Sequence, residues 1–181
     1  MIFGFFRQKK HNRMIVDRHY GVLTALGRDP VFYTDLDVPD TVMGRFEMLS
    51  IVMILFFRRT RGAGTSGQEL AQEIVDAFFQ DIDHSIRELG IGDQGVPKRM
   101  KKLAGMFYGR VESYASALDE SDVERLAAAL RRNIYPEQAE TAPDMAGLAR
   151  WMLDADKALA MRPEEELSTG TMRMPGPGGA E

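Results

Sequence analysis

The chain reads as all-α: a compact single-domain multi-helix bundle with a disordered C-terminal tail. Three observations predict this. Apolar residues recur at the spacing of one helical face in segment after segment, which is the primary signal for amphipathic helices. No stretch shows hairpin chemistry, and the pairs Asn-Gly and Asp-Gly are absent. The 181 residues, 44% of them hydrophobic, are enough for one packed core. Residues 1–13 read as a basic and aromatic N-terminal segment, 14–162 as the helical domain and 163–181 as the tail.

The elements follow in order. From about Lys10 to Leu26, apolar side chains fall at Ile15, Val16, Tyr20, Leu23 and Leu26, one face of a helix. Gly27-Arg28-Asp29-Pro30 stops it, and residues 30–39 form a connector. Asp40 is the expected N-cap of a second helix that runs to about Arg61. Its run Ile51–Phe57 is far shorter than the ~20 apolar residues that span a bilayer, so it is expected in a protein core. Gly62–Gly67 is a loop, with Ser66 and Glu69 as a capping box for a third helix carrying Leu70, Ile74, Phe78, Ile82 and Ile86. A break at Gly90–Gly95 follows. Pro97 suits the first turn of a fourth helix, where its missing N–H removes no bond. That helix lines up Met100, Leu103, Phe107, Val111, Tyr114 and Leu118. Ser121 and Glu124 read as the capping box of a short helix ending near Ile134, and Pro143 opens a last helix with Leu148, Trp151, Met152, Ala155 and Leu159. Beyond Arg162-Pro163 the composition turns to Glu, Gly and Pro, which predicts disorder.

Composition removes several kinds of chemistry. Without cysteine there is no thiolate nucleophile and no Cys-based metal site. Three histidines, His11, His19 and His84, offer little for a metal cage. The net charge of -4 argues against a DNA-binding protein. Phe3, Phe5 and Phe6 precede the cations Arg7, Lys9, Lys10 and Arg13, the reverse of a secretory signal. The expected location is cytoplasmic. These three phenylalanines are candidate contacts with the inner face of the membrane, where aromatic side chains dip in and cations meet anionic lipid. Packing of the same aromatics on the core is the alternative.

Gly62-Ala63-Gly64-Thr65-Ser66-Gly67 matches the dinucleotide fingerprint literally, and Asp81 or Asp83 stands at the spacing of its ribose-binding acid. Its context is wrong. The fingerprint glycines must turn directly off a strand end, whereas Arg58–Arg61 intervene and the preceding apolar run continues a helical pattern. Gln68 and Glu69 also stand where a phosphate loop requires Lys and Ser or Thr. A nucleotide-binding enzyme using this loop is therefore a minor alternative.

The fourth helix is the most informative segment. Opposite its apolar face lie Lys98, Lys101, Lys102, Gly105, Gly109 and Glu112. Each interior glycine costs a helix about 1 kcal/mol relative to alanine, and lysines near the N-terminus oppose the helix dipole. Two explanations stay open: a neighbouring helix of the same domain fills the notch, or a partner does. Met100 is expected in the core and Met106 on an adaptable contact surface.

Around this helix the sequence resembles a known family. Asp76-Ala-Phe-Phe-Gln-Asp81-Ile-Asp83, Arg87-Glu-Leu-Gly-Ile-Gly92-Asp93-Gln-Gly-Val-Pro97-Lys98-Arg99-Met-Lys101 and Phe107-Tyr108-Gly109-Arg110 look like the ubiquinol–cytochrome c chaperone family, bacterial branch. The likeness extends from about His19 to Ile134. It implies a non-enzymatic, all-helical assembly chaperone for the cytochrome bc complex (respiratory complex III), with no cofactor of its own. Such a protein would bind newly made apo-cytochrome b, or another bc-complex subunit, and support haem insertion. The family's mitochondrial members work with a small helical partner near the ribosomal tunnel exit. Carried to matching positions, Asp81, Asp83, Arg87, Asp93, Lys98, Lys101, Tyr108 and Arg110 become candidate partner contacts, and the basic, glycine-notched fourth helix adds Arg99, Lys102, Gly105 and Gly109. A scaffold at the membrane or ribosome, without client specificity, is a further alternative.

Overall fold

The computed structural model describes residues 2–178 apart from 89, 91 and 139, with side chains described from residue 12 onward. The described residues form eight helices and no strand: α1 (Ile2–Gly27), α2 (Val31–Thr34), α3 (Val42–Thr60), α4 (Gly64–Glu88), α5 (Val96–Asp119), α6 (Val123–Ile134), α7 (Ala146–Ala160) and α8 (Glu165–Thr169). α3 is the axis. It packs against α1, α4, α5, α6 and α7, and its residues from Phe46 to Phe56 are all buried except the half-buried Leu49. A helix apolar on every side has to be surrounded. Met48, Ile51, Val52, Met53, Leu55 and Phe56 are fully enclosed, and each such side chain stabilises the fold by roughly 1.5–3 kcal/mol.

The outer helices complete the core with one face each. Ile74 and Phe78 come from α4, Phe107 and Tyr114 from α5, Leu126 and Leu130 from α6, and Leu148, Met152 and Leu159 from α7. Phe78 and Phe107 meet with ring centroids 5.4 Å apart, and Phe32 of α2 stands edge-on to Trp151 at 4.6 Å. The glycine run that imitates a dinucleotide fingerprint is a tight turn from α3 into α4. Here the run before it is helix, and a Cβ on Gly67 would lie 2.6 Å from the Ala63 Cβ and 2.9 Å from the Thr60 carbonyl. Gly67 thus serves close approach of the first turn of α4 to the end of α3, while Gly64 supplies the left-handed backbone of the turn at φ 63° and Gly62 has open space beside it.

Several local expectations are corrected. α1 starts at Ile2 rather than near Lys10, and the connector contains α2. The cap of α3 is Thr41, whose Oγ1 accepts from the Gly44 N–H at 3.0 Å, while Asp40 pairs with Arg45 at 2.7 Å. Ser66 lies inside α4, which begins at Gly64, so it caps nothing. Ser121 sits in the left-handed region at φ 53°, and the α6 cap passes to Asp122, which accepts from the Arg125 N–H at 2.9 Å. Met106 packs against the core rather than lying free.

The tail differs most. Instead of disorder from residue 163, the chain forms α8, and Leu167 and Met172 are buried. His19 of α1 bonds through Nε2 to the Leu167 carbonyl at 2.9 Å, and Arg59 donates to the Arg162 carbonyl at 2.9 Å. Leu167 and Met172 supply apolar burial that a composition average over Glu, Gly and Pro conceals.

Candidate functional site

α5 carries a continuous exposed stripe formed by Lys98, Lys101, Lys102, Gly105, Tyr108, Gly109 and Glu112, with Arg99 exposed beside it. The stripe exists because the opposite face, Phe107, Tyr114 and Leu118, is held in the core. A Cβ added at Gly105 or Gly109 would meet no described atom within 4 Å. No neighbouring helix of the described chain fills the notch, so intramolecular packing does not account for these glycines. Tyr108, between them, is 57% exposed. Among the described residues, none of Lys98, Arg99, Lys101 and Lys102 forms an ion pair. Four cations thus crowd the start of a helix that has no acidic residue in its first turn. A helix N-terminus favours anions, so the arrangement suits an anionic partner rather than the isolated chain.

The acidic candidates fall into two groups. Arg87 gathers Asp83, at 2.7 Å from Nε, and Asp93, at 2.5 Å, tying the end of α4 to the loop before α5. The hydrogen bond from Arg87 holds the Asp83 carboxyl below the usual carboxylate range. Asp81 points elsewhere, accepting from the Tyr20 hydroxyl of α1 at 2.9 Å. Burial and this carboxylate push the Tyr20 phenol above its ordinary value.

Arg110 does not belong to the exposed surface. Its guanidinium forms a two-pronged pair with Glu47 of α3, Nε to Oε2 at 3.0 Å and one terminal nitrogen to Oε1 at 2.6 Å, and also donates to the Asn133 carbonyl of α6 at 3.3 Å. The pair joins three helices inside the bundle. Arg110 thus has a structural role in the bundle. Phe3, Phe5 and Phe6 lie outside the residues whose side chains are described.

One feature escaped sequence reasoning. A cleft of about 440 Å³ opens where the C-terminal half of α1, the start of α3 and the C-terminal half of α4 diverge. Phe46, Leu49, Phe78, Ile82 and Leu103 line it, and Val42 and Met43 stand at its margin, 70% and 43% exposed. Two adjacent apolar residues in the first turn of a helix were the available signal, but the partner walls come from distant segments.

Comparison with known proteins places this geometry. The family described as Ubiquinol-cytochrome C chaperone matches residues 34–174. The chain is 25% identical over 109 residues to ubiquinol-cytochrome-c reductase complex assembly factor 1 of Xenopus laevis, covering 60% of this chain and 54% of that protein. It is 24% identical over 143 residues to the Mus musculus protein of the same name, covering 78% and 48%. The chain thus spans about half the length of the curated relatives it matches. A solved structure, the Cbp3 homolog from Brucella abortus, is 48% identical and superposes with a TM-score of 0.88 over 100% of both chains. The matched span reaches Met174, so it includes α8 and the buried Leu167 and Met172.

Proposed function

This chain belongs to the ubiquinol-cytochrome C chaperone family, and from that membership we propose that it is a non-enzymatic assembly chaperone for the cytochrome bc complex. Its client would be newly made cytochrome b, or another membrane subunit of that complex, held in a state competent to receive haem. The observation that carries the reading beyond membership is the exposed stripe of α5. A glycine notch unfilled and four cations unpaired among the described residues, with an exposed tyrosine between the glycines, form a face whose cost is offset when a partner covers it. Chaperoning by such a face is a population shift: the chain binds the haem-ready client better than collapsed or aggregated forms. Among the described residues no helix is long and apolar enough to cross a membrane, which agrees with a protein acting on a membrane client from the water phase. The Gly62–Gly67 run joins two helices rather than a strand and a helix, which favours this reading over a nucleotide-binding enzyme.

The deciding experiment removes the gene and measures assembled bc complex and reduced-minus-oxidised haem b spectra in membranes. Loss of both, restored by the wild-type chain and not by one with Lys98, Lys101 and Lys102 changed to Glu, is the expected result. Undiminished complex and haem b in the deletion strain overturn the proposal.

A further inference from the structure

We propose that the cleft between α1, α3 and α4 is a docking site for the end of an apolar, lysine- or arginine-flanked segment of a partner polypeptide. Its floor is rigid and its lip is soft. Phe46 and Phe78 stack at 6.0 Å, and Phe107 backs Phe78 at 5.4 Å, so the floor is anchored in the core. Met43 at the margin has a flexible thioether side chain that adapts to different apolar shapes. Most of α3 beyond this turn is buried, so the exposure of Val42 and Met43 is local to the cleft mouth. About 440 Å³ accommodates a few side chains from one helical face, the pattern of a helix seated by anchors one turn apart.

Charge selects the occupant. The α4 wall presents Asp81 and Glu88. Tyr20 fixes the Asp81 carboxylate in place, and Glu88 lies 3.1 Å from His84. On the opposite wall Arg45 is already neutralised by Asp40 at 2.7 Å, which leaves Arg28 as the other cation among the lining residues. The lining itself balances two carboxylates with two guanidiniums, and Asp40 beside Arg45 adds the one excess negative charge at the mouth. The mouth therefore repels acidic or phosphate-bearing partners, which the cations of α5 would attract. A segment with apolar anchors followed by Lys or Arg satisfies both the floor and the wall. The cytoplasmic ends of membrane-spanning helices carry this chemistry. The identity of the occupant as a membrane client rests on the proposed function; the cleft's preference for the peptide chemistry does not.

The test uses the full chain and two fluorescent Leu/Ala helical peptides, one ending in two lysines and the other in two glutamates, read by anisotropy. The lysine peptide is expected to saturate and the glutamate peptide to bind about tenfold more weakly. Met43→Ser, which removes the apolar lip without adding charge, is expected to weaken the lysine peptide by about tenfold, while Met161→Ser, at an exposed residue that does not line the cleft, leaves it unchanged. Glu88→Lys should abolish the preference between the peptides. Thermal melts check folding, and Val42→Ser repeats the measurement should Met43→Ser melt early. No saturable binding of the lysine peptide, equal binding of both peptides, or binding indifferent to Met43 and Val42 overturns the proposal. In cells, full rescue of the deletion strain by Met43→Ser sinks the cleft as a client site and leaves the chaperone reading standing. An intact bc complex in the deletion strain sinks the chaperone reading alone, because the peptide measurement is made without it.

Discussion

Glu47 and Arg110 show a structural role that a local motif does not reveal. Their side chains are 3% and 12% exposed, and the pair sits where α3, α5 and α6 meet. Burial pushes the Glu47 carboxyl above its ordinary value, and the hydrogen bonds and charge of Arg110 oppose that rise. Tyr114, enclosed nearby, has its phenol pushed up by burial and then by the Glu47 charge. Only a guanidinium offers two parallel donors to a carboxylate and a further donor to a backbone carbonyl, so lysine is no substitute here. Removing one partner of a buried pair strands the other charge, at a cost of about 3–5 kcal/mol, whereas replacing both with apolar residues is often close to neutral. Arg110→Met is therefore expected to lower unfolding free energy by about 3–5 kcal/mol in urea titrations. The double variant Glu47→Leu with Arg110→Met should recover most of it. Equal losses in single and double variants would show that the charges are not coupled. Arg110 became a candidate partner contact through its place in the family-like motif Phe107–Arg110, and no local pattern announces a carboxylate 63 residues away.

At the scale of elements, glycines of one composition do opposite things. A Cβ on Gly44 would run into the Pro39 carbonyl, and one on Gly67 would strike Ala63 and Thr60, so these two permit close approach. Gly105 and Gly109 permit nothing within the described chain, since the space beside them is open. Alanine at either position should therefore raise stability by about 0.5–1 kcal/mol through helix propensity. The same changes should reduce retention of the partner and the level of assembled bc complex, because a methyl group enters the notch. Urea midpoints and membrane haem b spectra on the double variant Gly105→Ala, Gly109→Ala read both effects. A drop in stability would mean that the notch is packed from within, and unchanged assembly would mean that no partner uses it. Helix caps were less legible than helix faces. Ser66 and Ser121 each stand three residues before a glutamate, yet α4 begins at Gly64 and Asp122 caps α6. The capping pattern names side chains able to cap, while the backbone turn before the helix selects which one does.

For the whole molecule, the succession of helices and the central place of α3 were readable, because each amphipathic face repeats over several turns and the run from Ile51 to Phe57 has no polar side. The exposed stripe of α5 was readable for the same reason. What escaped depends on segments far apart in the chain: the cleft, the Glu47–Arg110 pair and the folded C-terminal segment. In the last of these, His19 of α1 reaches the Leu167 carbonyl across 148 positions, its ring 5.3 Å from that of Phe56. Burial pulls the His19 imidazole below its ordinary value, and the bond to Leu167 only partly offsets this. The linkage has a definite sign. As pH falls through about 6.5, the unfolded chain takes up a proton at this histidine before the folded chain does, so stability is present above that value and declines below it. One proton difference corresponds to a slope of at most about 1.4 kcal/mol per pH unit. Urea midpoints measured from about pH 7.5 to about pH 5.5 should fall for the wild-type chain and stay flatter for His19→Gln, whose amide can still donate to Leu167. Hydrogen exchange should place the early loss at the amides of α8, which His19 and Arg18 hold through carbonyls. Parallel pH profiles for the two chains would remove His19 from this role, and protection of α8 lost only with global unfolding would show that the C-terminal segment is an integral part of the bundle.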